Sequence, residues 1–250
     1  MNFTGQVAIS TGAASGMGLL FAQNFAELGG NVVLCDVNRE ILEQKVAEIN
    51  EKGKGKALAV VCDVRDYAQV CSVRDKAVEA FGRIDVVANF AGGYARRMRG
   101  VDGNLDFTEV PIEIFDWGLD VNLKGPFYFA HAVLAQMKKQ KSGLILNIGS
   151  VTGAEGSATG MDYAVAKAGL MHGLTKSIAL YGEGHNVRSV CVSPGPVLTR
   201  PGMAAMKTML GRAAEPQEII DLCLFIASSK GQFINGENIM IDGGKSIMRP

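Results

Sequence analysis

Short apolar runs rich in β-branched residues alternate along this chain with helix-length stretches whose apolar positions recur every three to four residues. Such alternation predicts a parallel sheet, because parallel strands need helical crossovers that cover both faces. Candidate strands are Val7 to Ser10, Asn31 to Asp36, Ala57 to Cys62, Asp85 to Ala88, Gly143 to Ile148, Val187 to Val192 and Asn238 to Ile241. Helices fall between them. Met17 to Leu28 runs into Gly29-Gly30 and Arg39 to Lys52 into Gly53, and glycine is the usual residue just past a helix end. The expectation is an α/β fold with a doubly wound parallel sheet of about seven strands and helices on both faces.

Composition narrows the class. The 250 residues suit one large domain spanning 1–250, and 48% apolar residues can build its core. No internal repeat, low-complexity tract or linker interrupts it. Lys plus Arg and Asp plus Glu number 25 each, so no net field draws the chain to nucleic acid or an anionic membrane. The first residues lack a charged leader with an apolar core, and no run approaches the ~18 apolar residues of a membrane span. A soluble, cytoplasmic chain is expected. Cys35, Cys62, Cys71, Cys191 and Cys223 show no C-x-x-C spacing and read as reduced residues, most of them in the core. His131, His172 and His185 form no ligand pattern and no G-x-S-x-G elbow accompanies them, so neither a metal site nor a serine hydrolase is expected.

Two segments carry chemistry. Thr11-Gly12-Ala13-Ala14-Ser15-Gly16-Met17-Gly18 follows a strand and opens a helix, where glycines let the backbone approach a pyrophosphate and the helix offers unpaired N–H groups. Asp36 ends the next strand, where a carboxylate accepts hydrogen bonds from ribose hydroxyls and repels a 2′-phosphate. NAD is therefore expected over NADP, with Arg39 the nearest residue able to weaken that preference. The second segment is Tyr163-x-x-x-Lys167. On a helix these side chains share a face, and an ammonium beside a phenol that titrates near ~10 favours its ionised form.

Together these segments resemble the short-chain dehydrogenase/reductase family, with the likeness running from about Gln6 to Gly244. The resemblance implies a Rossmann-like fold and a site of Asn122, Ser150, Tyr163 and Lys167. Ser150 alone would read as a strand-end cap and Asn122 alone as a helix cap, but the four together point to the family's catalytic set. It also implies cofactor contacts from Gly12, Ser15, Gly16, Met17, Gly18 and Asp36, then from Asp63, Val64, Asn89, Ala91 and Gly92. Tyr163, Lys167, Pro194, Gly195, Val197 and Thr199 complete that group. Asn89-Phe90-Ala91-Gly92 departs from the family's Asn-Asn-Ala-Gly at Phe90, so the contact of that missing amide is lost.

The implied activity is hydride transfer between NAD and a secondary alcohol or ketone. Substrate choice falls to loops at about 93–110, to the stretch between Ser150 and Tyr163, and to a lid at about 196–212 that is short for the family. Met98, Met161, Met203, Met206 and Met209 lie there, either as a lining for an apolar or cyclic substrate or, for the last three, as a buried helical stripe. Arg96, Arg97 and Arg99 read either as anion ligands or as an ordinary solvated loop. Alternatives are a sugar or polyol dehydrogenase, a 3-oxoacyl-carrier-protein-type reductase, and an NAD-binding regulator, the last disfavoured by an intact catalytic set. Family relatives usually form homotetramers, and the apolar tail Ile247-Met248-Arg249-Pro250 would then lie near a neighbouring subunit.

Overall fold

The computed structural model describes residues 1–52, 54–103 and 105–248, so the Gly53 stop signal and the Arg249-Pro250 end of the tail lie outside the described residues. Strands form where the apolar runs predict them: β1 (Val7–Thr11), β2 (Asn31–Asp36), β3 (Ala57–Val61), β4 (Val86–Asn89), β5 (Gly143–Ile148), β6 (Val187–Pro194) and β7 (Glu237–Ile241). They pair in parallel in the order β3-β2-β1-β4-β5-β6-β7. The chain steps outward from β1 to β3 and returns to place β4 on the other side of β1. That reversal opens a crevice beyond the carboxyl ends of β1 and β4.

The helices are α1 (Gly16–Glu27), α2 (Arg39–Glu51), α3 (Tyr67–Phe81), α4 (Ala95–Met98) and α5 (Ile112–Leu119), followed by α6 (Gly125–Gln140), α7 (Val151–Glu155), α8 (Met161–Ala168), α9 (Thr175–Tyr181) and α10 (Pro216–Ala227). Their ends follow local chemistry. The Asn38 side chain accepts from Ile41 N to start α2, Asp66 accepts from Ala68 N and Gln69 N to start α3, and Gly82 closes α3 at φ 76°. Successive strand residues face opposite ways, so Val32 and Leu34 enter one core cluster while Val33 and Cys35 enter the other. Phe21 and Phe25 of α1 and Ile219 and Leu224 of α10 close the first cluster, and Val70 of α3, Phe129 and Val133 of α6 and Ile178 of α9 close the second.

Two helices widen by one turn next to the crevice. α5 passes into α6 through a π-helical turn, Asp120–Lys124, and α8 passes into α9 through another, Gly169–Leu174. Beneath them a buried polar thread joins strands to helix. Asn89 Nδ2 donates to Asn147 Oδ1 at 2.9 Å, Asn147 Nδ2 donates to Thr175 Oγ1 at 3.0 Å, and Thr175 Oγ1 donates to Leu170 O at 2.7 Å. Replacing Asn147 by Ala removes the first two of these three contacts and strands polar groups in the core, so urea denaturation should report a loss of about 2–4 kcal/mol. A loss under about 0.5 kcal/mol would mean that water replaces the amide.

Candidate active site

The crevice is a cleft of about 570 Å³ whose floor is the glycine turn after β1. Gly12 (φ 62°) takes a left-handed conformation, and a Cβ there would lie 2.9 Å from Ala91 Cα. A Cβ on Gly18 would lie 2.6 Å from the Gly12 carbonyl oxygen, whereas one on Gly16 (φ 58°) would meet only open space. Ser15 makes no side-chain cap to α1 and the first turn holds no acidic residue. The positive end of α1 therefore opens onto the cleft with its N–H groups uncapped. A pyrophosphate suits that helix end in charge and in room.

Asp36 is fixed at the rim, with Oδ2 accepting from Ala14 N at 3.1 Å and Oδ1 from Asn38 N at 3.0 Å. Arg39 turns away to Glu43 at 3.3 Å. Asp63 and Val64 also line the cleft, but the Arg65 guanidinium grips the Asp63 carboxylate and holds it below the usual carboxylate range. Ala91, Gly92 and Thr199 line the cleft as well. Asn89 does not reach it: its side chain is buried in the polar thread, and its Oδ1 has no protein partner. Phe90 instead lines the cleft and packs on Phe21, ring centroids 5.5 Å apart. Pro194 and Val197 are buried, and a Cβ on Gly195 would lie 2.7 Å from Asp242 Cα, so this trio forms a wall behind the surface.

The four residues of the expected catalytic set converge at the inner end. α8 stacks Tyr163 and Lys167 one turn apart, with Lys167 Nζ 5.5 Å from the Tyr163 ring centroid and donating to Ile148 O at 2.7 Å. Lys167 is 5% exposed, and burial pushes its ammonium down to about 8. Gly92 joins this group to the cleft, since a Cβ there would lie 2.6 Å from Asn122 Oδ1 and 3.6 Å from Lys167 Nζ. Asn122 sits in the first π turn, where the helix loses an ordinary i−4 bond. Its Nδ2 covers Gly118 O at 2.9 Å and Gly93 O at 3.0 Å, and its Oδ1 accepts from Gly93 N at 2.9 Å. Ser150 caps α7 by accepting from Thr152 N at 3.2 Å, which leaves its own O–H free to donate into the site.

The phenol departs from the expected direction. Burial pushes Tyr163 up, and the Ser150 hydroxyl and the charges of Arg200 and Arg97 pull it back. The Lys167 ammonium does not reverse the shift, because burial strips solvent from the phenolate more than a cation tied to Ile148 returns.

The substrate side holds residues that sequence reasoning left unnamed. Tyr94 stands edge-on to Tyr163 with centroids 6.5 Å apart and donates to Thr159 O, and Arg200 lines the cleft, whereas Trp117 lines it under the Arg65 guanidinium, 6.0 Å from its ring centroid. Their signal was position alone, in or beside the variable loops. Of the three loop arginines, Arg96 is buried and donates to Leu105 O at 2.6 Å, Arg97 lines the cleft, and Arg99 is exposed. Met203, Met206 and Met209 make no buried helical stripe: the segment holds a single 3-10 turn, Pro201–Met203, and Met206 and Met209 are exposed. Met98 lines the cleft. Among the described residues no cluster could hold a metal ion and no helix is long and apolar enough to cross a membrane.

Comparison with known proteins places these features in a lineage. A family model described as enoyl-(acyl carrier protein) reductase matches residues 12–246. The chain is 35% identical to 3-oxoacyl-(acyl-carrier-protein) reductase FabG of Thermotoga maritima, over 99% of this chain and 100% of that one. It is 38% identical to trans-4-hydroxycyclohexanecarboxylate dehydrogenase of Sinomonas cyclohexanicum, over 96% and 93%. A crystal structure of a 3-oxoacyl-(acyl-carrier protein) reductase with bound NAD from Brucella melitensis superposes with TM-score 0.88 at 28% identity, covering 98% of this chain and 92% of that chain.

The lowered Lys167 value has a measurable sign. Between about 8 and the ordinary 10.5 the unfolded lysine holds a proton that the folded one has released, so stability from this group rises with pH through that window. Denaturation at pH 8 and pH 10 should show the wild type gaining on the order of 1–3 kcal/mol relative to Lys167→Met. Equal slopes for the two proteins would place the Lys167 titration elsewhere.

Proposed function

The chain belongs to the short-chain dehydrogenase/reductase family of oxidoreductases that act on CH–OH groups, and from that premise we propose that it is an NAD-dependent dehydrogenase of secondary alcohols with an apolar or cyclic body. The observation that carries this reading is the convergence of Tyr163 with Lys167 and Ser150, and of Lys167 with Asn122 at Gly92, at the end of a glycine-floored cleft. The whole chain then works as one dinucleotide-binding and catalytic unit.

The uncapped end of α1 would hold the pyrophosphate, Asp36 the adenosine ribose, and Lys167 the nicotinamide ribose. When bound, the nicotinamide supplies the hydride acceptor. The chain's own residues handle the oxygen and the proton. Ser150, with one of its two lone pairs taken by Thr152 N, keeps an O–H that serves the Tyr163 phenol and would turn to the substrate oxygen. Tyr163 takes the hydroxyl proton as the C–H hydride leaves, and the carbinol becomes a carbonyl. In the reverse direction the phenol returns that proton to a ketone. Asn122 fixes Gly93 against α5 and so sets the height of the cleft wall beside Lys167.

NAD is the favoured cofactor because the carboxylate at the rim is Asp36 and its neighbour Arg39 is committed to Glu43. Five free cysteines, four of them buried, suit a reducing cytoplasm. Exposed Phe127, Val165, Leu180 and Tyr181 on α6, α8 and α9, with Phe233 and Ile247 elsewhere, support assembly into a homotetramer. The relative that acts on a hydroxycyclohexanecarboxylate favours a cyclic substrate over a sugar.

Tyr163→Phe should abolish turnover of secondary alcohols with NAD while NADH binding stays within a few fold; comparable activity would end the proton-transfer role. Because the phenol is raised, alcohol oxidation should climb with pH as the phenolate forms, and Ser150→Ala should move the residual limb to higher pH. Loss of ribose hydrogen bonds and like-charge contact on the order of 2–4 kcal/mol imply an NAD over NADP preference of about 30- to 1000-fold in kcat/KM, reduced in Asp36→Ser. Equal use of NADP by the wild type would show that Arg65 or another cation reaches the 2′-phosphate.

A further inference from the structure

Building on the dehydrogenase reading, we infer that Arg97 and Arg200 form a subsite for a carboxylate carried by the substrate, so that the alcohols oxidised are compact hydroxycarboxylic acids. The topology sets the pair in place. Arg97 lies on α4 beyond the end of β4, and Arg200 follows β6, so they flank the end of β5, the strand that leads into Ser150. Both line the cleft with Gly92 and Thr199. Arg97 Nη2 stands 3.6 Å from where a Cβ on Gly93 would be, next to the backbone that Asn122 clamps.

Of the three arginines that line the cleft, these two are set apart by what their guanidiniums lack. Among the described residues neither makes an ion pair or hydrogen bond, whereas Arg65 is held by Asp63, Arg96 by loop carbonyls, Arg212 by Glu218 and Lys245 by Glu155. The acidic residues that line the cleft, Asp36 and Asp63, belong to its adenosine end. Asp162 lies beside Tyr163 in sequence, yet its Oδ2 is buried against Gly118. Among the described residues these two cations thus line the cleft with no carboxylate placed to meet them, and both lie near enough to stabilise the Tyr163 phenolate. A planar carboxylate suits two guanidinium forks. With Arg97 against Gly93 and both arginines on the cleft wall beside Gly92, that carboxylate sits a few bonds from the reacting carbon. The phosphate of a phosphopantetheine arm lies too far from its carbonyl to meet that requirement.

The test compares each hydroxy acid with its own methyl ester, using 3-hydroxybutyrate and trans-4-hydroxycyclohexanecarboxylate with NAD and the full-length enzyme. One charge-assisted contact translates to about 10- to 100-fold, so the wild type should prefer acid over ester in kcat/KM by at least that factor. In Arg97→Met/Arg200→Met the ratio should collapse toward one, with thermal denaturation reporting that the variant is folded. An unchanged ratio in the variant overturns the subsite. So does a loss of NADH affinity above about tenfold with the ratio retained, because the arginines would then hold the cofactor's phosphates. Turnover of neutral secondary alcohols in preference to the acids ends the subsite and leaves the dehydrogenase standing. Absence of turnover with every acid, ester and neutral alcohol ends both.

Discussion

The burial of one ammonium group governs the rest of the site. Lys167 has almost no solvent, and its recorded hydrogen bond is to the carbonyl of Ile148, the last residue of β5. An ion kept from water costs several kcal/mol unless neighbouring dipoles and charges replace the solvent. The depression of Lys167 to about 8 is the trace of that cost. A site under such tension favours any negative charge that arrives beside it. The Tyr163 phenolate, one helical turn away, is the form in which that charge stands before oxidation, and taking the hydroxyl proton discharges it.

The cleft also separates its charges along its length. Its floor ends in the positive pole of α1 with no capping side chain, while Asp36 and the Asp63 and Arg65 pair stand across the tips of β2 and β3. The opposite end holds Tyr163, Arg97 and Arg200. A dinucleotide has the matching order, with neutral hydroxyls at one end, phosphates at the middle and a group of changing charge at the other.

Much of this was legible before any coordinates. The seven strands fell within about a residue or two of their predicted bounds because a buried parallel strand is written as a continuous apolar run, and the glycine turn and the Tyr163 and Lys167 spacing are local patterns with local causes. What escaped depended on contacts between distant segments. Arg96 looked equivalent to Arg97 in the chain, yet one is buried against Leu105 and the other lines the cleft. Asn89 matched a motif but spends its amide on Asn147 in the next strand. The direction of the Tyr163 shift followed from how much solvent the surrounding loops remove, and helical spacing carries no measure of that. Asn122 was found by likeness, whereas the wide turn that presents it leaves no periodic signature.

That wide turn separates two demands that a helix ordinarily satisfies together. A π turn accommodates one residue beyond what a regular helix of the same rise would hold, while the segments on either side keep their packing faces. Between α5 and α6 the surplus residue lets Asn122 point inward without rotating Phe129 and Val133 out of the core. The polypeptide therefore carries an amino acid that packing does not require. Deleting one position within Asp120–Lys124 would restore an unbroken helix with its apolar stripe in phase, yielding a folded scaffold from which the Gly93 clamp is gone. Architecture and active-site geometry are thus encoded by separable residue counts within a single helix.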